Sequence, residues 1–169
     1  PTPVPTPIPR TIQNILADFP IPPAANPGFP PNAKYDVYSG PGTYYHRGAN
    51  GKAKVSTNDW INVYGVDGEW ALIEYEVSVN KWRQGYIQAI NLPTSYQKQA
   101  LHWAWISENI IYNCNLTDDP NLGREPLFVL EKGASVTLLA TYRDLVYVEC
   151  EASGELVRGY IEKGALGFR

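Results

Sequence analysis

The sequence predicts an all-β protein, two small β-barrels in tandem preceded by a proline-rich extended segment, and three observations carry that prediction. Of 15 prolines in 169 residues, 11 lie before Asn32. From Tyr35 onward the hydrophobic period is two and the runs are short, broken by glycine-containing turns. The chain also matches itself at an offset of 74 to 75 positions.

Residues 1–33 form the first element. Pro1, Pro3, Pro5, Pro7 and Pro9 alternate with Thr, Val and Ile. Such a run neither propagates a helix nor donates to a sheet ladder, and it favours polyproline II, the geometry of a semi-rigid stalk. Between the two proline clusters Thr11 can cap a short helix, with Ile12, Ile15, Leu16 and Phe19 at helical spacing before Pro20 ends it.

Residues 34–92 form the first barrel. Tyr35 and Val37 alternate with Asp36 and Tyr38, Ser39-Gly40-Pro41-Gly42 breaks the strand, Ile61 and Val63 resume the alternation, and Val66-Asp67-Gly68-Glu69 turns into a strand from Trp70 to Val77. Gly85-Tyr86-Ile87 closes the unit. Residues 110–169 repeat it. At an offset of 74, Tyr38 meets Tyr112, Thr43 meets Thr117, Gly85-Tyr86-Ile87 meets Gly159-Tyr160-Ile161 and Leu92 meets Leu166; at 75, Ile61 meets Val136, Val63 meets Leu138 and Ile73 meets Val148. The connector, 93–109, carries Trp103 and Trp105, too much apolar surface to leave in water, so it is expected to pack between the barrels.

On these residues the chain resembles bacterial SH3 domains. Tyr35-Asp36-Val37-Tyr38-Ser39-Gly40-Pro41-Gly42 is similar to their opening strand and RT loop, Gly68-Glu69-Trp70 to the turn and tryptophan of the third strand, and Gly85-Tyr86-Ile87 to the closing Gly-Tyr-Ile. The second repeat keeps the closing motif, but Asn113-Cys114-Asn115 replaces Ser-Gly-Pro and Leu145 replaces the tryptophan. The resemblance implies tandem SH3-like barrels of five strands. It also implies the usual setting of that family, beside cell-wall hydrolases, lipoproteins or surface proteins, with wall peptide or protein as ligand. Gln88 and Glu162 stand where proline-peptide readers of the family carry a groove proline.

Composition narrows the partners. A net charge of -3 and a pI near 5.4 give no electrostatic reason to expect nucleic acid. No apolar run approaches the roughly 20 residues of a membrane span, so no membrane contact is expected of this stretch. The absence of methionine points to a processed chain or a piece of a longer one, whose signal or anchor is gone, and the expected location is the bacterial cell surface or exterior. Cys114 and Cys150 allow one disulfide or two buried thiols.

No catalytic constellation emerges, so an enzyme is not expected, nor a cofactor or metal. His46 and His102 share no motif with either cysteine, and no phosphate loop, nucleophile elbow or zinc spacing occurs. Asp118-Asp119, before Pro120, reads as a solvated turn against the alternatives of an acid/base pair or a calcium site. The aromatic distribution is the asymmetry that suggests function: residues 35–92 hold seven Tyr and three Trp, residues 110–169 four Tyr and no Trp. So small a barrel cannot bury ten large aromatics on one inner face. Tyr44, Tyr45, Trp70 and Tyr86, with Trp60 and Trp82 at the flanks, are the expected ligand-binding surface. The function that follows is a non-catalytic binding or targeting module outside the cell. The alternatives are accessory domains of a cell-wall hydrolase, or a spacer without ligand.

Overall fold

A computed structural model describes Phe19 and residues 24–48 and 53–167; the expected helix around Thr11 to Leu16 lies outside them. Among the described residues the protein is all-β, with antiparallel sheets and two 3-10 turns at Ala89–Asn91 and Lys163–Leu166. In the first unit β1 (Lys34–Asp36) pairs with β2 (Lys54–Ser56), and β3 (Ile61–Asp67), β4 (Trp70–Ser78) and β5 (Lys81–Gln88) form a meander. In the second, β6 (Ile106–Asn109) joins the edge of a meander made of β9 (Ser135–Tyr142), β10 (Leu145–Ala152) and β11 (Glu155–Glu162), while β7 (Cys114–Leu116) pairs with β8 (Phe128–Leu130).

No described sheet closes on itself, so the expected closed barrels are not what the hydrogen bonds show. Each hairpin instead touches its meander through one bridge, Tyr38 to Tyr86 in the first unit and Thr117 to Tyr160 in the second. A missing side chain makes that approach feasible in both. A Cβ on Gly85 would sit 2.4 Å from Val37 Cγ1, and one on Gly159 would sit 2.7 Å from the Thr117 carbonyl oxygen.

These bridges correct the repeat alignment. Tyr38 corresponds to Thr117, an offset of 79, and not to Tyr112. The loop that follows is four residues shorter in the second unit, which restores 75 from Ala53 onward. A bulge at Val77, absent from the β10–β11 hairpin, then returns the offset to 74. A second bulge is shared. Tyr64 and Leu139 are the extra residues of β3 and β9, and both turn into the boundary between the units.

Each unit has its own core. Val37, Val55, Ile61, Val63, Ile73 and Ile87 lead the first; Leu116, Leu138, Val146, Val148, Val157 and Ile161 lead the second. A third cluster joins them, built from Phe19, Tyr64, Leu72, Tyr86, Leu101, Leu139, Tyr147 and Tyr160 with Trp103 at its edge. The described part of the expected stalk is therefore built into the fold. Phe19 is 2% exposed and donates its backbone N–H to Thr141, and Ala24 then pairs with Val63.

The connector makes the reciprocal crossing. Leu101 donates to Val66 of β3, and the chain then moves to β9 through Ala104 and β6. Val66 and Thr141 are equivalent positions, as are Val63 and Leu138, so each unit's leading arm begins on the other unit and ends on its own. Trp103 packs in the boundary as expected, with its indole N–H donating to Asp67 at 2.8 Å. Trp105 is instead more than half exposed and lies over the Arg158 guanidinium.

Candidate functional site

The six expected ligand-binding aromatics do not share one surface. Tyr86 follows Gly85 in β5, where Arg83 through Ile87 are all buried because both faces of the strand are covered. Its hydroxyl meets that of Tyr147 at 2.9 Å and accepts from Arg158 at 3.0 Å. Its partner by symmetry, Tyr160, donates to Gln84 Oε1 at 2.6 Å. Gln84 and Arg158 are themselves repeat equivalents, so each closing tyrosine bonds across the boundary to the other unit. Tyr45 is also buried, donating to Glu149 with Arg158 against its ring. Burial first, then the bond to Glu149, pushes its phenol well above the usual range. The assignment of Tyr45 and Tyr86 to a ligand groove is thus corrected: the second unit covers both, which strand alternation in one repeat cannot reveal.

Arg158 is the centre of this boundary. It donates to Glu149 at 2.9 Å and Asp67 at 2.9 Å, and its guanidinium faces Tyr45, Tyr86, Trp103 and Trp105. Desolvation works against its charge, and the electron-rich neighbours and carboxylates outweigh it. One cation thus holds a carboxylate from each unit.

Asp118 and Asp119 are likewise not a solvated turn. They are 2% and 0% exposed. Asp118 accepts from Arg83 Nε at 3.0 Å and from Arg124, and its carbonyl accepts from the Gln84 N–H at 2.9 Å. Asp119 accepts the backbone N–H groups of Trp82 (3.3 Å), Asn121 (2.9 Å) and Gly123 (3.0 Å). On the opposite side His46 makes the matching crossing: its N–H donates to the Leu156 carbonyl, and Nδ1 lies 2.6 Å from Glu155 Oε2. Among the described residues no three His, Cys, Asp or Glu side chains converge to hold a metal ion.

Cys114 and Cys150 lie in one core cluster as separate thiols, so the disulfide alternative is not the one observed. Burial pushes Cys114 up to about 11, with Glu162 adding to it, and Cys150 up to about 12, with Cys114 adding to it. Unfolded thiols ionise near about 8.5. The unfolded chain therefore releases its protons first, and the stabilisation from keeping these thiols neutral is fully present below about pH 8.5 and lost as pH rises through about 11 to 12. We expect urea midpoints to fall between pH 8 and pH 10, and Cys150→Ala to flatten that fall. An equal fall in the variant would assign the pH dependence to other groups.

The remaining aromatics are accessible. Tyr44 is 67% exposed, its ring tilted against that of Tyr45 at 4.9 Å, and Trp60 is 57% exposed with its indole N–H bonded to Asn62. Trp82 is half-buried, its backbone N–H bonded to Asp119. Trp70 stands at the start of β4, edge-on to Tyr38 at 5.6 Å, and borders two depressions. One, of about 250 Å³, lies towards Tyr35, Tyr38, Thr43 and Lys54; the other, of about 510 Å³, lies towards Gly68, Ala89, Ile90 and Lys98. Tyr38 is the groove residue that the sequence reading passed over, although it stands in the motif that carried the resemblance.

No protein-family model matches the chain, and no curated protein matches it. Two solved structures are similar in part. NlpC2 from Trichomonas vaginalis is 13% identical, with a TM-score of 0.34 over 90% of this chain and 50% of that one; NlpC1 from Trichomonas vaginalis is 12% identical, with a TM-score of 0.35 over 95% and 52%. The chain spans about half the length of each.

Proposed function

We propose that the chain is a non-catalytic peptide-binding module of two SH3-like units, acting outside a bacterial cell on wall peptide or a surface protein. The observation that supports it best is Trp70: a half-buried indole, propped on Tyr38, with an open depression on each side. Large amphipathic rings of this kind give contact area while freezing few torsions, which is why they dominate recognition surfaces. Tyr44 is a further accessible ring, on the loop that follows Tyr38. Tyr86 belongs to the boundary cluster against which Trp70 packs.

Trp70→Leu tests the reading, because Leu145 already serves at the equivalent position. Binding to purified sacculi should weaken by roughly thirtyfold, the equivalent of about 2 kcal/mol at a central aromatic. The variant should stay folded, since Leu145 packs at the equivalent position against the same boundary cluster. Unchanged binding by a folded variant would remove the groove from the contact surface, and the function would reduce to that of a spacer.

A further inference from the structure

The face of the first meander that turns away from its core carries a second aromatic pair. Along β4 this face shows Leu72, Glu74 and Glu76, and the partners in β5 are Tyr86, Gln84 and Trp82. The boundary covers it at Leu72 and Tyr86. Beyond that cover the face opens: Glu76 is exposed beside the half-buried Trp82, and Trp60, 57% exposed, stands just before β3, opposite Glu76 by the Ile61–Tyr75 register. Trp60, Glu76 and Trp82 thus form one row across three strands.

Both tryptophans are anchored. The Trp60 indole N–H donates to Asn62 Oδ1 at 2.8 Å, and Asn62 donates in turn to Glu74 at 3.0 Å, which keeps the ring on this face. The Trp82 backbone N–H is bonded to Asp119 at 3.3 Å. Neighbouring strands lie about 4.8 Å apart, so the outer strands of the row are separated by roughly 10 Å and a group seated over Glu76 comes within about 6 Å of a ring on each side.

Charge selects the occupant. Glu76 has no hydrogen bond or ion pair among the described residues, and Glu74, in the row behind it, is held by the neutral Asn62 and Tyr64. Across β5, Asp118 bridges Arg83 and Arg124, and the adjacent Asp119 balances the count, so that cluster lends this face no surplus cation. Lys81 alternates to the opposite face from Trp82. A carboxylate between two indoles suits an organic cation, because the ring faces and the carboxylate attract the same charge while the rings cover its carbon atoms. The equivalent row of the second unit, Ser135, Glu151 and Leu156, keeps the carboxylate and lacks both indoles.

We infer that the row of Trp60, Glu76 and Trp82 is a binding site for an alkylammonium group, seated between the two indoles and paired with Glu76. It lies at the opposite end of β4 from Trp70, roughly 20 Å along the strand, and does not depend on the peptide reading of that groove.

The test is an NMR titration of the whole chain, resolved at amide and indole N–H signals, with tetramethylammonium and with tert-butanol, a neutral molecule of similar size and shape, at constant ionic strength. Saturable shifts of the Trp60 and Trp82 indole signals and of the Glu76 amide are expected with tetramethylammonium, and an affinity roughly fivefold weaker with tert-butanol. Glu76→Gln, an isosteric change at an exposed position, should weaken tetramethylammonium roughly threefold. Trp60→Ala should abolish the shifts at Trp82 in a chain that stays folded, and Trp70→Leu should leave them unchanged. Titration with n-butylammonium separates the sources of such a group: affinity equal to that of tetramethylammonium assigns the site to lysine-type amines, and a weaker one to quaternary headgroups. No saturable shift, equal affinity for tert-butanol, unchanged affinity in Glu76→Gln, or shifts at Glu151 as large as those at Glu76 would each overturn the proposal.

Discussion

Asp118→Ala is expected to cost about 3 to 5 kcal/mol of stability, the range for removing one partner from a buried ion pair. Arg83 and Asp118 are 1% and 2% exposed, and their 3.0 Å bond joins β5 of the first unit to the loop after β7 of the second. Removing the carboxylate leaves Arg83 and Arg124 facing each other with no anion between them, Arg83 being almost wholly buried. Tyr75 and the Arg47 carbonyl, which also bond Arg83, are neutral and do not replace it. Urea denaturation read by tryptophan fluorescence measures the effect. Adding Arg83→Met to Asp118→Ala should recover part of the loss, because the stranded cation disappears with it. If Asp118→Ala costs less than about 1 kcal/mol, the pair is hydrated in solution and the solvated-turn reading of the sequence stands after all.

The internal repeat was legible because the core positions of two related hairpin meanders fall at a constant offset. Ile61, Val63 and Ile73 face the first unit's core as Val136, Leu138 and Val148 face the second's. The opening strand was misaligned by the shorter second loop, since the weak identities Tyr38 with Tyr112 and Thr43 with Thr117 competed with a gap that only the bridges at Gly85 and Gly159 locate.

The boundary was not legible, and the reason is physical: alternation along a strand tells which residues share a face, not what covers that face. Tyr86 and Tyr45 alternate like surface aromatics and are buried by the other unit. A signal was nevertheless present. Arg83 and Arg158 stand in the middle of strands otherwise suited to burial, and a guanidinium there needs a carboxylate brought from elsewhere. Asp118 and Asp119, next to each other in a polar turn, were the candidates for one of them. Of the candidate site, Trp70 and Tyr44 were found from the sequence on composition and loop position, and both are accessible.

The reciprocal arms explain why Phe19 belongs to the fold. Phe19 packs its ring at 5.1 Å from Tyr64 of the first unit and 5.2 Å from Tyr147 of the second, both edge-on, with Trp103, Tyr142 and Tyr160 completing the enclosure. It is the symmetry partner of Leu101, which fills the matching position from the connector. Truncation to alanine leaves a cavity among rings whose hydroxyls are committed to Glu74, Tyr86 and Gln84, so they cannot collapse into it without breaking those bonds. Phe19→Ala should therefore cost about 3 to 5 kcal/mol, the upper range for a core phenylalanine. Phe19→Leu should retain roughly half of that stability by refilling most of the volume. Tyr44→Ala, an exposed ring on the same molecule, sets the baseline at within about 0.5 kcal/mol. Thermal and urea unfolding of the three variants decide the matter: a Phe19→Ala midpoint equal to that of Tyr44→Ala would return Phe19 to a stalk, and a fall several times larger would make the arm the element that joins the two units.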